Sequence, residues 1–226
     1  DGDSLASIDP TKLLRAAFLG AAAGYYLADL RPEQVPELLR GVRENALRRT
    51  SRALARARQL SGRDAYMLLE EHLASELQVI ESVAEFVPLP DEAQVEAALF
   101  VRSLDNLVHT ERMRIPAPAA PPDFGDAADR ICRRHPTPKG PMWGFDYSYL
   151  EDQLARRSLA VPELLAFEGL WGNGYEYAYE ILNLVAPDRD ALGFRDAVSA
   201  AYGPVAVELV VGYLETLAAI EIVSCE

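Results

Sequence analysis

Apolar residues recur at helical spacing along most of the chain, and this pattern constrains the fold more than any other feature. Between residues 64 and 87, for example, they stand at positions 69, 73, 77, 80, 84 and 87. Steps of three and four residues place side chains on one face of a helix. No comparable stretch alternates with a period of two, so we expect few or no strands. The sequence therefore predicts an all-α fold, a helical bundle of about nine helices.

Capping residues, prolines and glycines divide this pattern into separate helices. Asp9 followed by Pro10 is typical of a helix start, because the carboxylate caps backbone N–H groups and proline suits the first helical position. Asp91, after the tight connection PLPD, is a second cap of this kind. The predicted helices span about 10–30, 36–47, 48–60, 64–87, 91–112, 124–134, 147–157, 162–185, 194–202 and 204–220.

Prolines concentrate in the middle of the chain, in IPAPAAPP (115–122) and HPTPKGPMWG (135–144). Such segments cannot continue a helix and favour extended backbone. We therefore predict an N-terminal helical half (1–114), a proline-rich connector with one short helix (115–146) and a C-terminal helical half (147–226). The pentapeptide VPELL begins at both Val35 and Val161, which fits two loosely repeated halves or a chance match between helix starts. One compact domain overall is also compatible with the pattern.

The formal net charge of −13 at pH 7 argues against a nucleic acid partner, since an acidic surface repels a polyanion. The exception is an arginine-rich run from Arg40 to Arg63, which contains eight arginines. No aromatic residue interleaves with it before Tyr66, so stacking on single strands is not expected. Two interpretations stay open: the run grips an anionic ligand, or it is a solvated helix face paired with nearby acids.

The two cysteines, Cys132 and Cys225, lie far apart in the sequence and form no CxxC motif. A disulfide between them is possible but is not predicted by their spacing, so we expect a reducing compartment. The longest uncharged run, 16–28, is too short to span a bilayer. Together these features predict a cytoplasmic protein without a membrane segment.

Two of the three histidines form candidate metal ligands with neighbouring acids. His72 and Glu76 stand four residues apart on one predicted helix, and Asp105 and His109 stand four apart on the next. The short connection makes these helices antiparallel, so the four side chains are expected to meet between them. Two imidazoles and two carboxylates suit iron, manganese or zinc in a helical bundle. The alternative is that they form His–acid pairs on helix surfaces.

The segment WGNGYEYAYEI (171–181) contains glycines near a predicted helix. An interior glycine costs about 1 kcal/mol relative to alanine. Gly172 and Gly174 therefore suggest the close approach of another backbone or a ligand.

The same segment offers the candidate catalytic residues. Glu176 and Glu180 share a helix face and are flanked by Tyr175 and Tyr179. A glutamate among aromatic rings can have its pKa raised and act as a general acid or base. The alternative is an amphipathic helix with its rings in the core and its carboxylates in solvent.

The segment GNGYEYAYE and the last predicted helix, YGPVAVELVVGYLETLAAIEIV, are similar to parts of carboxymuconolactone decarboxylase-like and alkylhydroperoxidase D-like proteins. The resemblance covers residues 159–223. Tyr175 and Glu176 match that family's Tyr-Glu-Trp-x-x-His segment, Tyr177 replaces the Trp, and Glu180 stands where the His is expected. The family's Cys pair has no counterpart in this segment.

This resemblance implies a homo-oligomeric all-α relative with a small-molecule pocket. Without the Cys pair, thiol-dependent peroxide reduction cannot operate, because the thiolate is the nucleophile. Without the His, lactone decarboxylation requires another proton carrier, which Glu176 or Glu180 would have to supply.

Three functions are therefore expected as alternatives. The first is small-molecule binding, with acid–base chemistry on an organic acid or lactone and no required cofactor. The second is a metal-dependent oxidoreductase that uses the His72, Glu76, Asp105 and His109 set. The third is a non-catalytic interaction module whose helical faces pack against a protein partner.

Overall fold

The computed structural model describes residues 9–116, 129–137, 149–185 and 189–226. Within these ranges the chain forms nine α-helices and one two-stranded antiparallel sheet. The helices are α1 (Pro10–Ala28), α2 (Val35–Ala57), α3 (Gly62–Glu81), α4 (Val83–Phe86), α5 (Asp91–Arg112), α6 (Tyr149–Arg157), α7 (Gly174–Leu184), α8 (Ala191–Tyr202) and α9 (Val207–Ala219). The strands are β1 (Cys132–Arg134) and β2 (Val223–Cys225). The predicted all-α fold is confirmed.

Helix starts that carry a capping residue were predicted well. The Asp9 side chain accepts hydrogen bonds from the backbone N–H groups of Thr11 and Lys12, and α1 begins at Pro10. Helix α5 has the predicted bounds. By contrast, α2 is one continuous helix where two were predicted, because no glycine, proline or cap separates residue 47 from residue 48.

The predicted helix 64–87 is divided at Ser82 into α3 and the single turn α4. The Ser82 hydroxyl donates a hydrogen bond to the backbone carbonyl of Val79 at 2.9 Å. Serine side chains that bond locally to the backbone compete with helix continuation. The division therefore has a local cause.

Several C-terminal helices are shorter than predicted, whereas α8 begins at Ala191, before the predicted start at residue 194. Only Glu163–Ala166, a 3₁₀ turn, and α7 are helical within the predicted helix 162–185. Residues 132–134 of the predicted helix 124–134 form β1, and residues 124–128 lie outside the described ranges. The last helix begins at Val207 and not at residue 204, after Gly203 with φ 105°.

The chain divides into two compact units. The first comprises Asp1–Arg49 and Ala74–Leu107, and the second comprises Thr50–Leu73 and Val108–Glu226. The divisions fall inside α2, α3 and α5, whereas the sequence suggests a seam at 115–146. Most of that predicted connector lies outside the described residues.

Each unit has an apolar core of its own. The first core consists of Leu30, Val35, Leu39, Val83, Val87 and Ala93. The second core is larger and includes Leu150, Leu154, Leu164, Tyr177, Ile181, Phe194, Val198, Val210, Tyr213 and Leu217. No single described helix is both long and apolar enough to cross a bilayer, although α8 and α9, bent at 115°, pass that test together.

Cys132 and Cys225 form a disulfide between directly opposed positions of β1 and β2. Their Cα atoms are 4.1 Å apart although 93 positions separate them in the sequence. The sequence left this pairing open, and the structure shows that it forms. Because disulfides are rare in reducing compartments, the expected cytoplasmic location loses one of the two arguments on which it depended.

Candidate functional site

The tyrosine-rich segment begins with a capped helix. Asn173 is the N-cap of α7, and its side chain accepts a hydrogen bond from the backbone N–H of Tyr175 at 3.1 Å. The Glu176 carboxylate in turn accepts one from the backbone N–H of Asn173 at 2.8 Å. This reciprocal pair is a capping box, which satisfies backbone donors that the first turn of a helix leaves without partners.

The glycines before and at the start of α7 are positions of close approach. A Cβ on Gly174 would lie 1.9 Å from the backbone carbonyl oxygen of Leu164. A Cβ on Gly172 would lie 2.7 Å from the Tyr202 ring. Glycine is required because the Leu164 backbone and the Tyr202 side chain occupy that space. The predicted approach of another backbone is therefore found at Gly174, whereas the neighbour of Gly172 is a side-chain ring.

Tyr177 is the tyrosine that α7 buries. Its hydroxyl donates a hydrogen bond to the backbone carbonyl of Gly203 at 2.8 Å, and its ring packs edge-on against Phe167. Burial, with the nearby Glu176 charge, raises the pKa of Tyr177. Burial likewise raises the pKa of Tyr202, whose ring centroid lies 5.4 Å from that of Tyr177. These rings form core and not an open site.

The four predicted catalytic residues are placed differently. Tyr175 and Tyr179 are each 41% exposed, and the Glu176 carboxylate holds the capping box. Glu180 is partly buried. General acid–base catalysis needs a substrate within hydrogen-bond reach of the carboxylate, usually in a cleft. The acid–base hypothesis stays a prediction, and the cavities described below contain none of these four residues.

The four predicted metal ligands do not form one site, and His72 and Glu76 contact other residues. The Nε2 atom of His72 lies 2.9 Å from the hydroxyl of Thr50, and the Glu76 carboxylate is buried against an arginine. Asp105 and His109 are exposed. Across the described ranges, no group of three or more His, Cys, Asp or Glu side chains is placed to hold a metal ion. Iron, manganese or zinc at this set has no support from the geometry.

Two buried carboxylates, Glu76 and Asp196, are each held by an arginine of the arginine-rich run. Both acids are 2% exposed. Arg49 donates to the two oxygens of Glu76 at 2.6 and 2.7 Å, and Arg63 donates to those of Asp196 at 3.2 and 2.5 Å. These hydrogen bonds raise the pKa of both arginines. Of the two interpretations of the arginine-rich run, these contacts favour pairing with acids. Sequence spacing contains no signal for a partner as distant as Asp196.

Three cavities lie away from the tyrosine-rich segment. The first unit contains one of about 440 Å³, lined mainly by α2. The second unit contains one of about 330 Å³ at the end of α2 and one of about 80 Å³ beside the disulfide. Volumes of 300 to 1,000 Å³ are typical of small-molecule sites. The two larger cavities are therefore candidates for ligand binding.

Helix α1 presents an apolar surface to solvent. None of its residues is buried. Six large side chains define what we call the α1 surface: Leu13, Leu14, Phe18, Leu19, Tyr25 and Tyr26. They are between 39% and 75% exposed. Helices that are apolar all round are normally covered by other protein or by lipid, so this exposure requires an explanation.

Comparison of the chain with models of protein families, with curated proteins and with solved structures gives no match. The resemblance to carboxymuconolactone decarboxylase-like proteins therefore stays a prediction. Function has to be argued from the geometry of this chain.

Proposed function

We propose that the protein is a non-catalytic interaction module in which α1 binds the α1 of a second copy of the chain. The observation that carries this proposal is an apolar helix 19 residues long that has no buried residue. Packing of an apolar face supplies most helix stability in proteins. A partner helix would supply that packing. The proposal agrees with the expected homo-oligomer.

The small residues of α1 suit a symmetric helix pair. Ala16, Gly20, Gly24 and Ala28 follow one another at four-residue steps and so form one ridge. A Cβ on Gly20 or Gly24 would meet nothing within 4 Å. Among the residues that the structure describes, packing therefore gives no reason for two glycines that each cost the helix about 1 kcal/mol. A second helix whose own four-residue ridge packs alongside would use that space.

Charge also favours α1 as the contact between copies. Each chain carries a net charge of −13, so two copies repel one another over most of their surfaces. Residues 16–28 carry no charge, and the rest of α1 adds only Lys12 and Arg15. Two α1 helices can therefore meet without bringing acidic side chains together. The same surface on both partners closes a dimer.

Sedimentation equilibrium of the whole chain over a range of concentrations tests this proposal. We expect a monomer–dimer equilibrium. A double substitution, Leu13→Glu with Ala17→Glu, places two carboxylates on the side of α1 that carries Gly20 and Gly24. It should weaken dimerisation about tenfold or more, because the carboxylates would be buried in the contact without partners.

The matched control is Val95→Glu with Leu99→Glu, on α5. These side chains are also exposed, at 60% and 57%, and also stand four residues apart. The control should dimerise like the unaltered chain. Gly20→Leu should weaken dimerisation while leaving helix content intact. A chain that is monomeric at all concentrations would contradict the proposal, as would equal dimerisation of the α1 variants and the control.

A further inference from the structure

The 330 Å³ cavity of the second unit has an apolar floor. Leu54 and Ala57 contribute to it from α2, Ala65 and Leu69 from α3. Ala57, Ala65 and Leu69 are buried. Ala57 on α2 and Ala65 on α3 have short side chains, so they leave space that larger residues would fill. A floor of this kind suits the apolar body of a ligand.

The rim of the same cavity is charged. Arg58 and Arg114 both contact Glu111, through guanidinium nitrogens 3.9 and 2.7 Å from its carboxylate oxygens. The two arginine side chains are 72% and 69% exposed, whereas that of Glu111 is 19% exposed. Two guanidiniums and one carboxylate leave a net charge of +1. The rim therefore has the opposite sign to the chain as a whole, which carries −13.

We infer that this cavity binds a small monocarboxylate with an apolar body. The apolar body lies on the floor, where it leaves water. The carboxylate accepts charge-assisted hydrogen bonds from Arg58 and Arg114, whose exposed guanidiniums are able to turn towards it. A single negative charge matches the net charge of the rim, whereas a dianion would bring an uncompensated charge close to Glu111. This site is independent of the dimer contact proposed for α1.

Isothermal titration calorimetry of the whole chain with octanoate and with 1-octanol tests the inference. The two probes share the apolar chain and differ in the charged group. Octanoate should bind with one site per chain, and 1-octanol about tenfold more weakly, the effect expected for losing a charge-assisted hydrogen bond. Arg58→Gln and Arg114→Gln should each reduce octanoate affinity and leave 1-octanol affinity unchanged. Arg52→Gln is the matched control, because Arg52 is also exposed on α2 and does not line the cavity.

A second set of variants locates the binding. Leu54→Trp fills the floor and should abolish binding of both probes. Ser61→Trp, at an exposed position of the cavity wall, gives the same test if Leu54→Trp impairs folding. The Leu13→Glu, Ala17→Glu variant of α1 should keep full octanoate affinity. Absence of octanoate binding, equal affinity for the two probes, or binding that survives a folded tryptophan variant would overturn the inference.

Discussion

Gly174 and Gly212 are both glycines within α-helices, yet their surroundings differ. A Cβ on Gly174 would overlap the backbone carbonyl of Leu164, whereas a Cβ on Gly212 would meet nothing within 4 Å. The first glycine is fixed by a contact with the 3₁₀ turn, and the second has no such contact. Alanine adds one methyl group to glycine, so the same substitution is expected to have different effects at the two positions.

Gly174→Ala should lower the free energy of unfolding by more than about 2 kcal/mol, because the backbone must move to admit the methyl group. Gly212→Ala should raise it by up to about 1 kcal/mol, because alanine favours the helix. Urea denaturation followed by circular dichroism measures both. Equal stability of the two variants would show that the contact with Leu164 does not constrain the chain.

The sequence predicted close approaches at the glycines of this segment, but it did not predict which groups approach them. The cost of glycine in a helix predicted a close approach at Gly172 and Gly174, and the structure shows one at each. The approaching groups belong to Leu164 and Tyr202, and sequence spacing does not reveal which side chains meet. Glu176 was read as a candidate acid or base because its flanking tyrosines suggested burial. The buried ring is that of Tyr177, whereas Tyr175 and Tyr179 are each 41% exposed.

At the scale of the element, α7 is defined by its first turn. The pattern Asn173-x-x-Glu176 has the spacing of a capping box, and both of its hydrogen bonds are present. This pattern lies inside the longer predicted helix 162–185, so a cap at Asn173 was not predicted. A side chain can cap a helix only where the helix begins. Gly169 and Gly172 lie just before α7 and are not helical.

Asn173→Ala should lower the free energy of unfolding by about 1 kcal/mol, since it removes the side-chain acceptor of the cap. Glu176→Gln should leave stability nearly unchanged, because an amide oxygen also accepts from the N-cap backbone. Denaturation of both variants under one set of conditions provides the comparison. Destabilisation by Glu176→Gln equal to that by Asn173→Ala would show that the charge of Glu176, and not its acceptor oxygen, matters.

Elements differ in how far the sequence defines them. Helix α5 has the predicted bounds because its apolar pattern continues without interruption, although Asp91 is its first residue and not its cap. Strands β1 and β2 could not be predicted, because three residues are too few to show a period of two. They exist through pairing between positions that are distant along the chain, which no local pattern records.

Across the chain, contacts between residues that are distant in sequence determine the compact units and the disulfide, which local sequence patterns do not predict. The predicted seam relied on prolines, whereas the compact units are divided inside three helices. The disulfide likewise joins residues that are distant in sequence. Spacing gives the number of residues between Cys132 and Cys225 but not their distance in space, which the register of β1 and β2 determines.

Replacement of both cysteines, Cys132→Ala with Cys225→Ala, should lower the free energy of unfolding by about 2 to 5 kcal/mol, because a long linked loop restricts the unfolded chain. Guanidinium denaturation without reductant measures the loss. Dithiothreitol should destabilise the unaltered chain to a similar extent and have no effect on the double variant. Equal stability with and without the disulfide would contradict this account.

The disulfide has a further consequence for the integrity of the chain. It ties Cys132 to the penultimate residue, Cys225, so α6 to α9 all lie within one covalent ring. A single nick by a protease anywhere in that ring opens it without releasing a fragment. The protein would keep its full mass on a non-reducing gel and separate into two pieces only after reduction.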